Sequence, residues 1–351
     1  MAKRVTLKDV AAAAGVTAAT VSYVINDKPG QTITPETRER VLRAVAELHY
    51  IPNVHARTLR KRSSPCVGVV IRKNLAVPRF AQVVYGIQAR LAGRGRNVLL
   101  LGDDRDELYG LSDYVRAYLA GRVEGVIFIG EDNQGPDEAS VRAVADERIP
   151  FVVYDCQRAA DAYSTIDIDY RGGARLLAER VLACGPSRVL YVRPGTDTPQ
   201  ERLREAGVRD AMAAAPDSEL QVGELPVTFD NLDVWDARYS VGDTEDGLRL
   251  MERFLCVVEG LVRGLSHGDA VIASWAGWTH YFRKVAPALS LVTGELANNG
   301  ENRLAADYYT VLPNFEAGIA CADELASLAA GAGPTARTLK LTDIVDAKLG
   351  T

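Results

Sequence analysis

Apolar residues in the first fifty positions recur at spacings of three and four, the signature of short amphipathic helices. Leu7, Val10, Ala11 and Ala14 share one helical face, Thr6 stands three residues before Asp9 as a capping pair, and Gly15 suits the positive φ of a sharp turn. Thr17 offers a second N-cap. Behind it Val21, Val24 and Ile25 form an apolar stripe that leaves Ala18, Ala19, Ser22 and Tyr23 facing elsewhere. After a loop at Asp27-Lys28-Pro29-Gly30-Gln31, Thr34 caps and Pro35 opens a third helix with Val41, Val45 and Leu48 inward, and Pro52 ends it. Two short helices about a glycine turn, followed by a third, have helix-turn-helix spacing.

Beyond Pro52 the pattern changes. Asn53 can cap a short segment, Val54 to Lys61, that carries His55, Arg57, Arg60 and Lys61, with Arg62 following and Leu59 as its one large apolar side chain. An isolated helix of about eight residues is unstable in water, so this segment is expected to order only against a partner, and DNA fits its charge. After Ser63-Ser64-Pro65, short apolar runs such as CVGVVI, NVLLLGDD, GVIFIG, PFVVYD, SRVLYVRPG and DAVIAS alternate with amphipathic stretches. That alternation predicts parallel sheets covered by helices, and the length predicts two lobes. Gly93-Arg94-Gly95 sits at a helix end and reads as a C-cap rather than a nucleotide-binding loop.

Charge sharpens this division. The chain has 351 residues and a net charge of −5, which taken whole disfavours nucleic acid; residues 1–62 nevertheless hold 11 Lys/Arg against 5 Asp/Glu. A basic head precedes an acidic body. The hydrophobic fraction of 47% suits ordinary globular cores. No apolar run approaches the roughly 18 residues of a membrane span, and the first six residues lack the apolar stretch of a secretion signal, so a cytoplasmic, nucleoid-associated location is expected. Cys66, Cys156, Cys184, Cys256 and Cys321 are scattered without a Cys-x-x-Cys pair, and the 4 histidines lack metal spacing, so free thiols and no metal or other cofactor are expected. A Gly-x-Ser-x-Gly elbow, a P-loop and a spaced acid/base pair are all missing, which argues against an enzyme.

The segments VTLKDVAAAAGVTAATVSYVIN, ITPETRERVLRAVAELHYIPN and ARTL, in that order, resemble the headpiece of the LacI/GalR repressors over about sixty positions. The resemblance implies an N-terminal all-α helix-turn-helix headpiece (1–52), a hinge helix and linker (53–62), and an α/β periplasmic-binding-protein-like core of two Rossmann-like lobes (63–351) for effector binding and dimerisation. It further implies a homodimer on near-palindromic double-stranded operator DNA, with the second helix in the major groove. The matching DNA-contact positions are Thr6, Thr17, Ala18, Ala19, Thr20, Ser22, Tyr23, Asn26, Thr34, Tyr50, Asn53, His55, Ala56, Arg57, Leu59 and Arg60. Ala18 and Ala19 offer methyl contacts, whereas Thr17, Thr20 and Ser22 can bond phosphates or base edges. Tyr23 departs from the arginine frequent there: a phenol makes one hydrogen bond where a guanidinium makes two. Leu59 from each protomer is expected to wedge into the minor groove at a central step.

In the body the likeness is good to residue 214 and erodes afterwards. Ligand positions at strand ends correspond to Arg72, Lys73, Asp155, Arg204, Ser274 and Trp275. The family's Ala-Asn-Asp segment is replaced by Ala273-Ser274-Trp275, and VTGELANN supplies no aspartate where the family carries one. Trp275, Trp278 and Tyr281 suit either ligand stacking or core packing, core being the commoner role. The expected effector is a sugar, sugar phosphate or organic acid. TLKLTDIVDAKLGT contains no leucine heptad, so the tetramer helix of some relatives is not expected. Two alternatives stay open: an activator or global regulator with a non-sensing core, and a soluble ligand-binding protein.

Overall fold

The computed structural model describes residues 6–25, 33–48, 66–105, 110–130, 135–158, 161–238, 240, 242, 244–299, 306–341 and 343–347. The chain forms two compact units, Met1–Ser63 and Ser64–Thr351.

The first unit contains α1 (Leu7–Ala14), α2 (Ala18–Ile25) and α3 (Pro35–Glu47). The Thr6 backbone N–H donates to Asp9 Oδ2 at 2.7 Å and Asp9 N returns a bond to Thr6 Oγ1 at 3.4 Å, completing the capping box, while Gly15 takes φ 65°. Thr17 Oγ1 accepts from Thr20 N at 3.1 Å and Thr34 Oγ1 from Thr37 N at 3.3 Å, so both later caps form as the spacing predicts. The unit closes on Val10, Ala11, Ala14, Val21, Val24, Val41 and Ala44.

The second unit is two α/β lobes. In chain order it runs β1 (Cys66–Ile71), α4 (Pro78–Ala92), β2 (Asn97–Leu101), α5 (Asp113–Leu119), β3 (Val126–Ile129), α6 (Glu138–Asp146), β4 (Phe151–Tyr154) and β5 (Ser164–Ile168). It then passes through α7 (Tyr170–Leu182), β6 (Arg188–Pro194), α8 (Pro199–Met212), β7 (Glu219–Leu225), α9 (Leu232–Ala237), α10 (Glu245–Val262), β8 (Ala270–Ala273), α11 (Trp278–Val285), β9 (Val292–Asn298) and β10 (Tyr308–Val311). It finishes with α12 (Asn314–Ala329), β11 (Ala336–Leu339) and β12 (Ile344–Asp346).

Lobe 1 has strand order β11-β5-β4-β3-β1-β2 and lobe 2 has β12-β10-β9-β8-β6-β7; β12 alone runs antiparallel to its neighbour. The chain therefore crosses between lobes after β5, after β10 and after β11. Strands buried on both faces explain the continuous apolar runs: Val126–Ile129, Phe151–Tyr154 and Ala270–Ala273 are buried at every position. In lobe 1, α4 and α12 cover one sheet face and α5 and α6 the other. In lobe 2, α7 and α8 cover one face and α9, α10 and α11 the other.

Glycine permits the tightest of these helix contacts. A Cβ on Gly86 of α4 would overlap the Phe315 carbonyl oxygen, and one on Gly318 of α12 would overlap the Val83 carbonyl oxygen. Because the obstructing atoms are backbone, Gly318→Ala must push the two helices apart, with a cost of about 1–3 kcal/mol. Urea unfolding followed by circular dichroism should show a lower midpoint at an unchanged slope.

Candidate nucleic-acid interface and effector cleft

In the headpiece, α2 presents Thr17 and Ala19 exposed and Thr20, Ser22 and Tyr23 partly exposed, while Val21 and Val24 are buried. Ala18 is half-buried and packs on the core, so it offers less surface than its neighbours. Thr6 and Thr34 sit at helix N-termini with their hydroxyls engaged as caps. Either threonine can still present its helix's free backbone N–H groups to a phosphate. Asn26, Tyr50, Asn53, His55, Ala56, Arg57, Leu59 and Arg60 lie outside the described residues.

The strand ends of the two lobes meet around Asp155, which follows β4. Its carboxylate is fully buried and takes bonds from Arg79 of α4 and, at 2.9 Å, from the Tyr170 hydroxyl at the start of α7. Its carbonyl accepts from Gln200 Nε2 of α8 at 2.7 Å. One residue of lobe 1 is thus tied to two helices of lobe 2. Asp155 adopts φ 57°, a left-handed conformation that costs a non-glycine residue about 1 kcal/mol and persists because these bonds hold it. Burial pushes its carboxyl above the ordinary value, against the opposing pull of Arg79.

Tyr170 connects this group to the next. The Arg204 guanidinium lies 4.5 Å from the Tyr170 ring centroid and donates to Glu201 Oε1 at 2.5 Å and to Ser274 Oγ at 3.4 Å. Ser274 at the end of β8 donates to Glu201 Oε2, and Trp275 Nε1 donates to Glu201 Oε1 at 2.9 Å. Burial disfavours the Arg204 charge, yet Glu201 more than restores it and its pKa stands above the usual value. Four of the six effector positions expected from sequence, Asp155, Arg204, Ser274 and Trp275, therefore join one continuous network.

The other two are placed differently. Arg72 is exposed and pairs with Asp103 at 3.3 Å, and Lys73 is half-buried. Trp278 resolves to core, only 2% exposed against Trp235 and Phe254, and Tyr281 packs edge-on to Phe254. Trp275 is the half-buried aromatic at the network's edge.

Sequence reasoning missed Arg79, Tyr170, Gln200, Glu201 and Glu295. Glu201 had a signal, since it stands three residues before Arg204 on one helix face. Glu295 in VTGELANN, midway along β9, supplies a buried carboxylate that accepts from Gly277 N at 2.9 Å and Thr279 Oγ1 at 2.6 Å, in the segment that lacks the family's aspartate.

Two family profiles match in order along the chain: bacterial regulatory proteins, lacI family, at residues 6–53, and periplasmic binding proteins and sugar binding domain of LacI family at residues 64–228. The chain belongs to the LacI family. Among relatives of this LacI-family chain, the HTH-type transcriptional regulator CelR of Thermobifida fusca is 36% identical over 220 residues, 61% of this chain and 62% of CelR. The ribose operon repressor of Bacillus subtilis is 30% identical over 210 residues, 60% of this chain and 61% of the repressor. The alignments thus span less than two thirds of either relative. A structure of the lac repressor dimer bound to operator and the anti-inducer ONPF matches with a TM-score of 0.71 at 22% identity, covering 98% of this chain and 99% of that one. A CelR–cellobiose complex matches with a TM-score of 0.55 at 25% identity, covering 97% and 98%. Among the described residues no helix is long and apolar enough to cross a membrane, and no cluster of His, Cys, Asp or Glu could hold a metal ion.

Proposed function

We propose that this LacI-family chain is a transcriptional repressor, not an enzyme, that binds a near-palindromic operator as a homodimer in the cytoplasm. The observation that carries this reading is a capped helix-turn-helix unit in a segment with 11 Lys/Arg against 5 Asp/Glu, in a chain whose net charge is −5. Local positive charge attracts phosphate, and Thr17, Ala19, Thr20, Ser22 and Tyr23 of the second helix meet base edges or backbone in the major groove. The hinge segment, with Arg57, Leu59 and Arg60, orders on the minor groove of the same site.

The effector binds where the lobes meet, against the network of Asp155, Arg204, Ser274 and Trp275. Only a ligand with different affinities for two lobe arrangements can alter DNA affinity, and Asp155, bonded to both lobes, gives it something to act on. Genome-wide footprinting with purified full-length protein, at moderate ionic strength and with and without candidate metabolites, tests the whole reading. Protection of a few near-palindromic sites supports it; indifference to every genomic fragment overturns it.

A further inference from the structure

Arg204, Ser274 and Trp275, the three lobe 2 residues assigned to the effector, all donate to one carboxylate of the chain itself, that of Glu201. The side chains of Glu201 and Arg204 are each only 3% exposed. The bland role for a glutamate here is a helix capping box, because Thr198 and Glu201 have the required spacing. The structure shows only half of one: Glu201 N donates to Thr198 Oγ1 at 3.1 Å, but its carboxylate is spent on the cleft residues instead. Arg79, the other arginine of the cleft and half-buried, is likewise matched by Asp155.

We infer that Glu201 sets the charge class of the effector: the cleft admits an electrically neutral, hydroxyl-bearing molecule and rejects anions. This rests on the reading that the cleft is the effector site. A phosphate or carboxylate approaching Arg204 meets a guanidinium whose Nη1 is already bonded to a buried carboxylate, and Glu201 would stay beside the incoming charge. Buried atoms without a hydrogen-bond partner include the donor Arg204 Nε, the acceptor Gln200 Oε1 and the hydroxyls of Thr196 and Tyr191, which can do either. Hydroxyl groups donate and accept at once and match such a set, whereas an oxyanion only accepts.

The chain's three tryptophans, Trp235, Trp275 and Trp278, all lie in lobe 2, with Trp278 5.9 Å from Trp235 and 5.1 Å from Trp275. Their fluorescence therefore reports this site and not phosphate bound by the basic headpiece. Full-length wild type and Glu201→Gln are titrated with inorganic phosphate, and with glucose against glucose 6-phosphate, in chloride-matched ionic strength. In the variant Arg204 loses its counter-charge, so phosphate should bind at least about tenfold more tightly than to wild type, shift the emission and raise the melting temperature. Adding Arg204→Ala to the variant should remove the gain. Equal phosphate affinity in wild type and variant overturns the inference, as does wild type preferring glucose 6-phosphate to glucose. Should Glu201→Gln fail to fold, the wild-type arm decides: a phosphate-induced emission change that Arg204→Lys abolishes also overturns it. Operator binding measured on the same preparations separates failure of this inference from failure of the regulator reading.

Discussion

Arg204→Ala should destabilise the α/β unit by about 3–5 kcal/mol and abolish any effector response. The loss has two sources. The guanidinium's contact with the Tyr170 ring accounts for about 1 kcal/mol. The larger part comes from what is left behind, because Glu201, whose side chain is only 3% exposed, becomes a buried carboxylate with no counter-charge. The signature is therefore non-additive: a Glu201→Ala/Arg204→Ala double variant should be more stable than Arg204→Ala alone, since it removes the stranded charge. Urea unfolding monitored by the lobe 2 tryptophans measures both. A double variant that loses the sum of the single effects would show that the pair contributes no coupling. At temperatures where the variant remains folded, operator binding should survive, because the headpiece has its own core of Val10, Val21, Val24 and Val41. Loss of response without loss of DNA binding places Arg204 in sensing.

Local patterns made the headpiece legible. Thr6, Asp9, Gly15, Thr17, Thr34 and Pro35 each act through a neighbour no more than four residues away, and all take the positions their spacing predicts. Apolar runs likewise identified β1, β3, β4, β6 and β8, since a strand buried on both faces leaves an uninterrupted signal. The lobes' exchange of strands was not legible. β11 pairs with β5, so that Ala336 stands beside Thr165, and no local rule relates positions so far apart. Charged cleft residues were ambiguous for the same reason. Arg72 and Arg204 look equally available in sequence, yet one pairs with Asp103 near the surface and the other is enclosed with Glu201. Trp275 and Trp278 stand three apart, and only the fold shows the first at the network's edge and the second in the core.

Leu59→Ala should lower operator affinity by about 10- to 100-fold while changing affinity for random DNA by less than about twofold. On random sequence the chain is held by phosphate contacts, which Arg57, Arg60 and Lys61 continue to supply, so the slope of affinity against salt should be unchanged. On the operator, an apolar wedge offsets part of the energy needed to unstack a base step and open the minor groove. In a dimer the substitution removes two wedges at once, which is why the effect at a single sequence position is so large. It should also depend on the operator's centre. A flexible pyrimidine–purine step needs less work to kink, so replacing it with a stiffer step should weaken wild-type binding and leave the variant nearly indifferent. Gel-shift titrations with the two operator centres and a random duplex, at several salt concentrations, distinguish this from simple loss of packing. A hinge that merely folded poorly without Leu59 would also release its arginines, and the salt slope would fall along with the affinity.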